Sequence, residues 1–168
     1  MSPPGWHRLA GITRGALRPL WHLPPSFTAL VLRIAVAIPF WRSGLTKWEG
    51  PGQLSPGALW LFENEFRLHL LGQTFPMPLP VLTAHLAAVA EILLPVLLVL
   101  GLGTRAAALG LLLMTGVIQL TLPGAWASHH LPWAALLLGI LTWGPGRFSL
   151  DHALLQGLQS MRRKPPGG

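Results

Sequence analysis

The sequence has 168 residues and contains no cysteine. That absence excludes disulfide exchange, iron–sulfur ligation and thiolate zinc sites built from this chain alone. Charged residues are also scarce, because Asp, Glu, Lys and Arg make up 10% of the chain, whereas soluble domains carry about 25%. Hydrophobic residues account for 51%, and the mean hydropathy is +0.51. This balance indicates an integral membrane protein.

The sequence also lacks the common motifs of nucleotide-binding and hydrolytic enzymes. It contains no P-loop, no dinucleotide-binding glycine pattern, no HExxH and no GxSxG, and it shows no internal repeat. No cleavable signal peptide is expected, because residues 1–26 are rich in Pro and Arg and no apolar run precedes Phe27. We therefore expect the first apolar run to be a retained membrane anchor.

Four apolar segments have lengths suited to membrane-spanning helices, since about 20 apolar residues cross a bilayer. They lie at 27–45, 81–102, 105–123 and 126–143. The last is near the lower limit of about 17 residues. The sequence thus predicts an all-α, polytopic membrane four-helix bundle over residues 27–147. A cytoplasmic basic, Pro-rich tail at 1–26 precedes it, and a cytoplasmic amphipathic helix with a basic tail at 148–168 follows it.

The long connection between the first two spans predicts an amphipathic helix at the membrane interface. Ser55 is suited to cap its N-terminus, and Pro56 is suited to its first position. From Ser55 to Leu71 the segment has an apolar side and a polar, charged side. It is too short and too charged to span, so we expect it to lie along the membrane surface.

The distribution of Lys and Arg predicts the orientation of the chain. These residues are concentrated in the N-terminal tail, at Arg105 and in the C-terminal tail, which all fall on one side of a four-span chain. The positive-inside rule then places both termini in the cytoplasm, with the chain in a bacterial inner membrane. The net charge of +7 lies beside apolar spans. The expected partner is therefore the lipid bilayer with its anionic headgroups, and not nucleic acid.

Three stretches carry a resemblance to a known family. They are LRIAVAIPFWRSGLTKW at 32–48, AEILLPVLLVLGLGTRAAALGLLLMTGVIQL at 90–120 and WAALLLGILTWGPGRFSLDHAL at 133–154. In order and spacing they resemble the DoxX family of small four-helix membrane proteins. The resemblance implies a redox-associated subunit that interacts with quinone or quinol, or with a partner oxidoreductase. The pattern is also similar to a subgroup that accompanies peptide-modifying non-heme-iron enzymes in metal-stress operons, which implies the alternative of a non-catalytic assembly or transport component.

The absence of cysteine, of a heme motif and of a flavin signature bears on this implied activity. If the chain is an enzyme, it is a quinone-linked oxidoreductase subunit whose electrons come from a partner or from the quinol itself. Quinone is then the implied cofactor. The implied protein partner is an oxidoreductase or an operon-encoded membrane protein, and the sequence leaves a homo-oligomer open.

Glu91 is the first candidate for chemistry, because it lies near the middle of the second span. A charge there is costly, so Glu91 should face protein or water, or be neutralised by protonation or a cationic partner. It is a candidate proton-handling residue or a hydrogen-bond partner for a quinone oxygen. The alternative is an ion pair or hydrogen bond that holds the bundle together, and the sequence leaves both open.

Four further polar residues fall in the outer halves of their spans and could form a polar cavity with Glu91 at its floor. They are Arg42, Lys47, His85 and Gln119. Arg42 and Lys47 could instead snorkel to the interface, and Gln119 could simply hydrogen-bond across helices. His85 lies about 120° around its helix from Glu91, so the two need not share a pocket.

A metal site is not expected. The candidate ligands would be Glu63, Glu65, His69, His129 and His130. Two adjacent histidines in a loop do not have the spacing of any specific metal motif, so a solvated loop is the favoured interpretation.

The other polar residues near the span ends have structural interpretations. Arg33 is expected to snorkel to the nearby membrane surface. Thr104 and Arg105 are expected to cap and anchor a helix turn, and Ser149 with Asp151 is expected to cap the last helix.

Overall fold

The computed structural model describes residues 24–163, so most of the predicted N-terminal tail and the end of the C-terminal tail lie outside the described residues. The helices of this part are α1 (Pro25–Leu45), α2 (Pro56–Trp60), α3 (Pro80–Leu100), α4 (Thr104–Thr121), α5 (Leu131–Trp143) and α6 (Leu150–Arg163). Two antiparallel hairpins lie between α1 and α3, and they are β1 (Trp48–Gly50) with β2 (Gln53–Leu54), and β3 (Arg67–Leu70) with β4 (Gln73–Pro76).

Helices α1, α3 and α4 are long and apolar enough to cross a membrane. Helix α5 has 13 residues, and a five-residue π-helical turn, Trp126–His130, leads into it without a break. Together they extend about 27 Å at a rise of about 1.5 Å per residue, which approaches the thickness of the hydrocarbon core. Large apolar side chains such as Leu86, Leu113 and Leu138 are exposed on the outer faces. The chain is an all-α membrane protein.

The four long helical segments form a closed bundle, in which α1 contacts α3, α3 contacts α4, α4 contacts α5 and α5 contacts α1. All four contribute to the core, which consists of Val36, Phe40, Leu98, Ala107, Ala108, Leu111, Leu137 and Ile140. We call the end of the bundle with the two hairpins the hairpin end. The opposite end, with the turn after α3 and helix α6, is called the α6 end.

The connection between α1 and α3 contains a shorter helix than the one expected over Ser55–Leu71. The helix begins as predicted, because Ser55 Oγ accepts a hydrogen bond (3.2 Å) from a first-turn N–H and Pro56 is the first residue. It continues only as a π-helical turn to Glu65, and the β3–β4 hairpin follows. The helical segment ends because Phe66 is extended, with ψ 118°, and the positive φ angles of Leu71 (52°) and Gly72 (79°) then form the hairpin turn that reverses the chain.

This folded connection packs on the hairpin end of α3. Leu54, Phe62 and Met77 form a buried cluster with Ala84 and Ala88 of that helix. The two alanines leave room on the helix surface for the larger side chains. The connection therefore covers the hairpin end of the bundle and forms part of the wall around Glu91, described below.

Helix α3 ends in a glycine turn that contacts α6. Gly101 adopts φ 71° and closes the last turn with a Schellman motif. Asp151 accepts hydrogen bonds from the N–H groups of Gly103 (2.7 Å) and Thr104 (2.9 Å) and from the Thr104 hydroxyl (2.8 Å). The carboxylate thus caps α4 from a different helix, while Ser149 caps α6 itself.

Arg33 does not snorkel to the membrane surface, because its side chain is fully buried at the α6 end. Its Nη1 donates to the carbonyl oxygens of Leu98 and Val99, both at 3.3 Å, and its Nη2 donates to the carbonyl of Phe148. The last carbonyl groups of a helix carry partial negative charge, which favours a cation at this place. Arg33 therefore ties α1 to the end of α3 and to the turn before α6.

Candidate functional site

The candidate site is centred on an ion pair between α3 and the end of α1. Lys47 Nζ lies 2.5 Å from Glu91 Oε2, and the two side chains are 13% and 6% exposed. Lys47 Nζ also donates to Ser43 Oγ at 2.9 Å. Ser43 and Lys47 are four residues apart, so both face Glu91 across the helix interface.

Gly44 makes this contact between α1 and α3 possible. A Cβ atom at this position would lie 2.8 Å from Ile92 Cδ1 and 3.0 Å from Glu91 Cβ. Because glycine has no side chain, the two helices can approach closely at this position, as small residues permit in membrane bundles. The close approach brings the Glu91 carboxylate within reach of Lys47.

The charges of the pair compensate each other in the membrane interior. An isolated ionised carboxylate in hydrocarbon is too costly to persist, whereas a hydrogen-bonded pair carries no net charge. The Lys47 ammonium also lies just beyond the C-terminus of α1, where the helix ends carry partial negative charge. The arrangement therefore holds a proton donor and a carboxylate together in an apolar environment.

Two cavities share the Glu91 side of this ion pair. The hairpin-side cavity has a volume of about 160 Å³, and its walls include Ser43, Lys47, Phe62, Phe66, Met77, Glu91 and Met114. The histidine-side cavity has a volume of about 310 Å³, and its walls include Pro39, Phe40, Ser43, Glu91, Ile118, His130 and Trp133. Ser43 and Glu91 belong to both, so each cavity is mainly apolar with polar groups on one wall.

The structure does not bring Arg42 or His85 to the ion pair, so the single polar cavity predicted from the sequence is corrected at these two positions. Arg42 is exposed and lines a separate groove between α1 and α3, beside Trp41. It precedes Lys47 by five residues, which corresponds to a rotation of about 140° around the helix. His85 is half-buried, and its Nδ1 lies 2.8 Å from the Val81 carbonyl of its own helix.

Gln119 lies near the site and contacts a residue that sequence reasoning had assigned to a solvated loop. Its Oε1 is 2.6 Å from Nδ1 of His130, which is 2% exposed and lines the histidine-side cavity. The adjacent His129 is exposed, with its Nδ1 2.8 Å from Ser128 Oγ. The two histidines therefore differ in burial, although both contribute to the lining of the histidine-side cavity.

Sequence reasoning missed two residues of the site, Ser43 and His130. For Ser43 the spacing of four residues from Lys47 was an available signal. For His130 no local signal existed, because the π-helical turn that buries it has no sequence signature. Among residues 24–163 no group of three or more His, Asp or Glu side chains is arranged to hold a metal ion.

Comparison with known proteins gives consistent matches. A family model described as DoxX matches residues 28–130. An uncharacterized membrane protein of Mycobacterium tuberculosis is 36% identical over 149 residues, which cover 78% of this chain and 82% of that protein. An uncharacterized protein of Haemophilus influenzae is 31% identical over 141 residues, which cover 73% of this chain and 80% of that protein. No solved structure matches the chain significantly.

Proposed function

Because this chain belongs to the DoxX family of membrane proteins, we propose that it is a redox-associated subunit that binds the headgroup of a quinone or quinol. The observation that supports this proposal is the ion pair between Lys47 and Glu91: both residues line the hairpin-side cavity, and Glu91 also lines the histidine-side cavity. A quinone needs an apolar slot with one or two polar groups placed to hold its oxygens. Both conditions are met beside this pair.

The two members of the pair have complementary roles toward the headgroup. The Lys47 ammonium can donate a hydrogen bond to a quinone carbonyl oxygen, and the Glu91 carboxylate can accept a proton from a quinol hydroxyl. Ligand pockets for drug-sized molecules are about 300–1,000 Å³. The histidine-side cavity, of about 310 Å³, lies at the lower end of this range and is suited to the ring of the ligand, while its isoprenoid tail extends between helices into lipid. The hairpin-side cavity, of about 160 Å³, is smaller and places Lys47 beside Glu91.

The proposal includes a location, the bacterial inner membrane with both termini in the cytoplasm. The hairpin end holds Lys47 and Arg67, whereas the α6 end holds Arg105 and Arg147 and adjoins both chain ends, which by sequence carry most of the other basic residues: Arg8, Arg14, Arg18, Arg162, Arg163 and Lys164. By the positive-inside rule the α6 end is cytoplasmic and the ion pair is reached from the other side. Reporter fusions after Gly50 and at Gly168 should report opposite sides of the membrane, and the same side for both would contradict the four-span arrangement.

Ligand binding to the purified full-length protein tests the proposed function. Mass spectrometry of the protein extracted in mild detergent should detect quinone in stoichiometric amount. Titration with a short-chain quinone should show saturable binding, and Lys47→Met should weaken it about tenfold because one charged hydrogen bond is lost. Arg42→Met is the matched control, since it removes an exposed cation in the last turn of α1 that lies outside both cavities. Absence of saturable binding would overturn the proposal.

A second function is supported by the ion pair itself. Lys47 and Glu91 already satisfy each other's charge and hydrogen bonding. Such a pair can have a purely structural role, in which it holds the helices together. In that case the chain is a non-catalytic assembly or transport component that works with an operon-encoded partner, for example in a metal-stress system. Co-purification of a partner protein without quinone would favour this alternative. Loss of the partner's function would then follow loss of folded protein in every variant.

A further inference from the structure

The ring of His130 is held in one tautomer by Gln119. The Gln119 amide nitrogen donates to the Pro123 carbonyl at 3.3 Å, which orients the amide and leaves its Oε1 toward the histidine. Oε1 is 2.6 Å from His130 Nδ1, and a carbonyl oxygen can only accept a hydrogen bond. Nδ1 therefore carries the proton of the neutral ring, and Nε2 carries a lone pair.

The Nε2 atom of His130 is available to a molecule in the histidine-side cavity. His130 is 2% exposed, and its ring lies against Trp133 with the centroids 5.5 Å apart. Among the side chains that the structure describes, no fully buried nitrogen or oxygen lacks a hydrogen-bond partner. The hydrogen bond of the His130 ring is made by Nδ1, so Nε2 is not fully buried and has open space beside it. The space beside His130 is the histidine-side cavity, whose lining also includes Ser43, Glu91 and the exposed His129.

We propose that His130 Nε2 accepts a hydrogen bond from a hydroxyl group of a quinol bound in the histidine-side cavity, and thereby makes the site prefer the reduced ligand. The inference deepens the proposed function and rests on it. A lone pair on a buried wall pairs with a hydroxyl donor, whereas the carbonyl oxygen of a quinone presents a second acceptor and leaves both groups unpaired. The expected preference is about tenfold in affinity.

Gln119 has a positioning role in this arrangement. It fixes which ring nitrogen of His130 carries the proton, and it touches no ligand itself. Without the amide oxygen the imidazole could place its proton on Nε2, which would turn the acceptor into a donor. The alternative is a purely structural role, in which the Gln119–His130 hydrogen bond only joins α4 to the turn before α5. A measurement of ligand preference distinguishes the positioning role from the structural one.

The binding experiment compares a short-chain ubiquinol analogue with its quinone on the full-length protein, under anaerobic conditions. The wild-type protein should bind the quinol about tenfold more tightly. His130→Phe should abolish the preference while quinone affinity stays within about twofold, and Gln119→Leu should reduce the preference. His85→Gln is the matched control, because this histidine lies outside both cavities, and it should leave the preference unchanged.

Nuclear magnetic resonance of the wild-type protein tests the same inference without any variant. Nitrogen-15 labelling of the histidines should show His130 with a proton on Nδ1 and none on Nε2, and addition of quinol should shift the Nε2 resonance. Equal binding of quinol and quinone by the wild-type protein, or a preference that survives in folded His130→Phe, would overturn the inference and leave the proposed function standing. Absence of saturable binding of both forms would overturn both.

Discussion

Two charged side chains are buried in this bundle, and their surroundings are opposite in kind. Arg33 is fully buried at the α6 end, and Glu91 is 4% exposed in the half nearer the hairpins. Backbone carbonyl groups of α1, α3 and the turn before α6 hold the Arg33 guanidinium. The Glu91 carboxylate is paired with one cation, the Lys47 ammonium, and lies on the wall of two cavities.

The comparison separates a structural charge from a candidate functional one. The carbonyl partners of Arg33 are fixed by the helices and cannot move aside for a ligand. Lys47 has a flexible stem and can transfer a hydrogen bond from Glu91 to another molecule. A charge inside a membrane is costly in both cases, but only Glu91 has space beside it in which a second molecule can use that charge.

Removal of the Arg33 side chain should cause the largest loss of stability. Arg33→Met leaves the carbonyls of Leu98, Val99 and Phe148 without their donor, and each buried acceptor left unpaired costs about 1–3 kcal/mol. We expect the free energy of unfolding to fall by at least about 3 kcal/mol, measured by thermal unfolding in detergent. Arg42→Met, which removes an exposed arginine of the same helix, should change it by less than about 0.5 kcal/mol. Unfolding of Arg33→Met at the wild-type temperature would contradict the structural role.

Glu91→Gln should affect activity more than stability, which is the opposite of the effect at Arg33. The amide keeps the shape of the side chain and can still accept a hydrogen bond from Lys47, but it cannot take up a proton. We expect a folded, membrane-inserted variant that does not complement a strain in which the gene is deleted. Quinol-dependent activity measured in that strain should fall about a hundredfold or more. A stable and fully active Glu91→Gln protein would eliminate proton handling and make Glu91 a structural residue as well.

The sequence contained enough information to predict the three long membrane helices α1, α3 and α4 and to single out Glu91. Long apolar runs and helix caps such as Ser55 are local signals, and a carboxylate in an apolar span is rare enough to be conspicuous. The sequence could not predict which cation meets Glu91, because that depends on the close approach at Gly44. Depth along the helix made Arg42 and Lys47 look alike, and only the rotation between them places one beside the carboxylate.

The differences between neighbouring residues were the least predictable features. His129 and His130 are identical in type, adjacent, and both on the histidine-side cavity, yet one is exposed and the other is buried, because a π-helical turn sets their directions. Arg33 looked like a snorkelling residue, because three of its four carbonyl partners come from segments more than 60 positions away in the chain. Both outcomes depend on tertiary contacts that no local pattern records.

Gly44→Ala should test how far the Glu91 side of the comparison depends on close helix packing. The added Cβ would press on Ile92 and Glu91, and such overpacking costs about 1–3 kcal/mol. We expect lower thermal stability together with weaker binding of short-chain quinone. Gly116→Ala in α4 is the matched control, since its Cβ would meet no atom within 4 Å, and it should be neutral or stabilise by about 0.5–1 kcal/mol. Equal behaviour of the two variants would contradict the tight contact.

The smallest expected effect on stability concerns Asp151, which lies near Arg33 at the α6 end. Burial raises the pKa of this carboxyl. Hydrogen bonds from Thr104 and Gly103, together with the charge of Arg33, lower it by more than burial raises it, so the net pKa is below its ordinary value. A lowered pKa in the folded state means that the stabilisation is fully present above the unfolded pKa of about 3.9 and is lost as the pH falls through the folded value. Asp151→Asn should therefore be less stable than wild type at pH 6 by about 1 kcal/mol, and the difference in unfolding temperature should shrink toward pH 3. Other carboxyl groups titrate equally in both proteins and cancel in this comparison. A difference that stays constant with pH would show that the cap does not depend on the charge of Asp151.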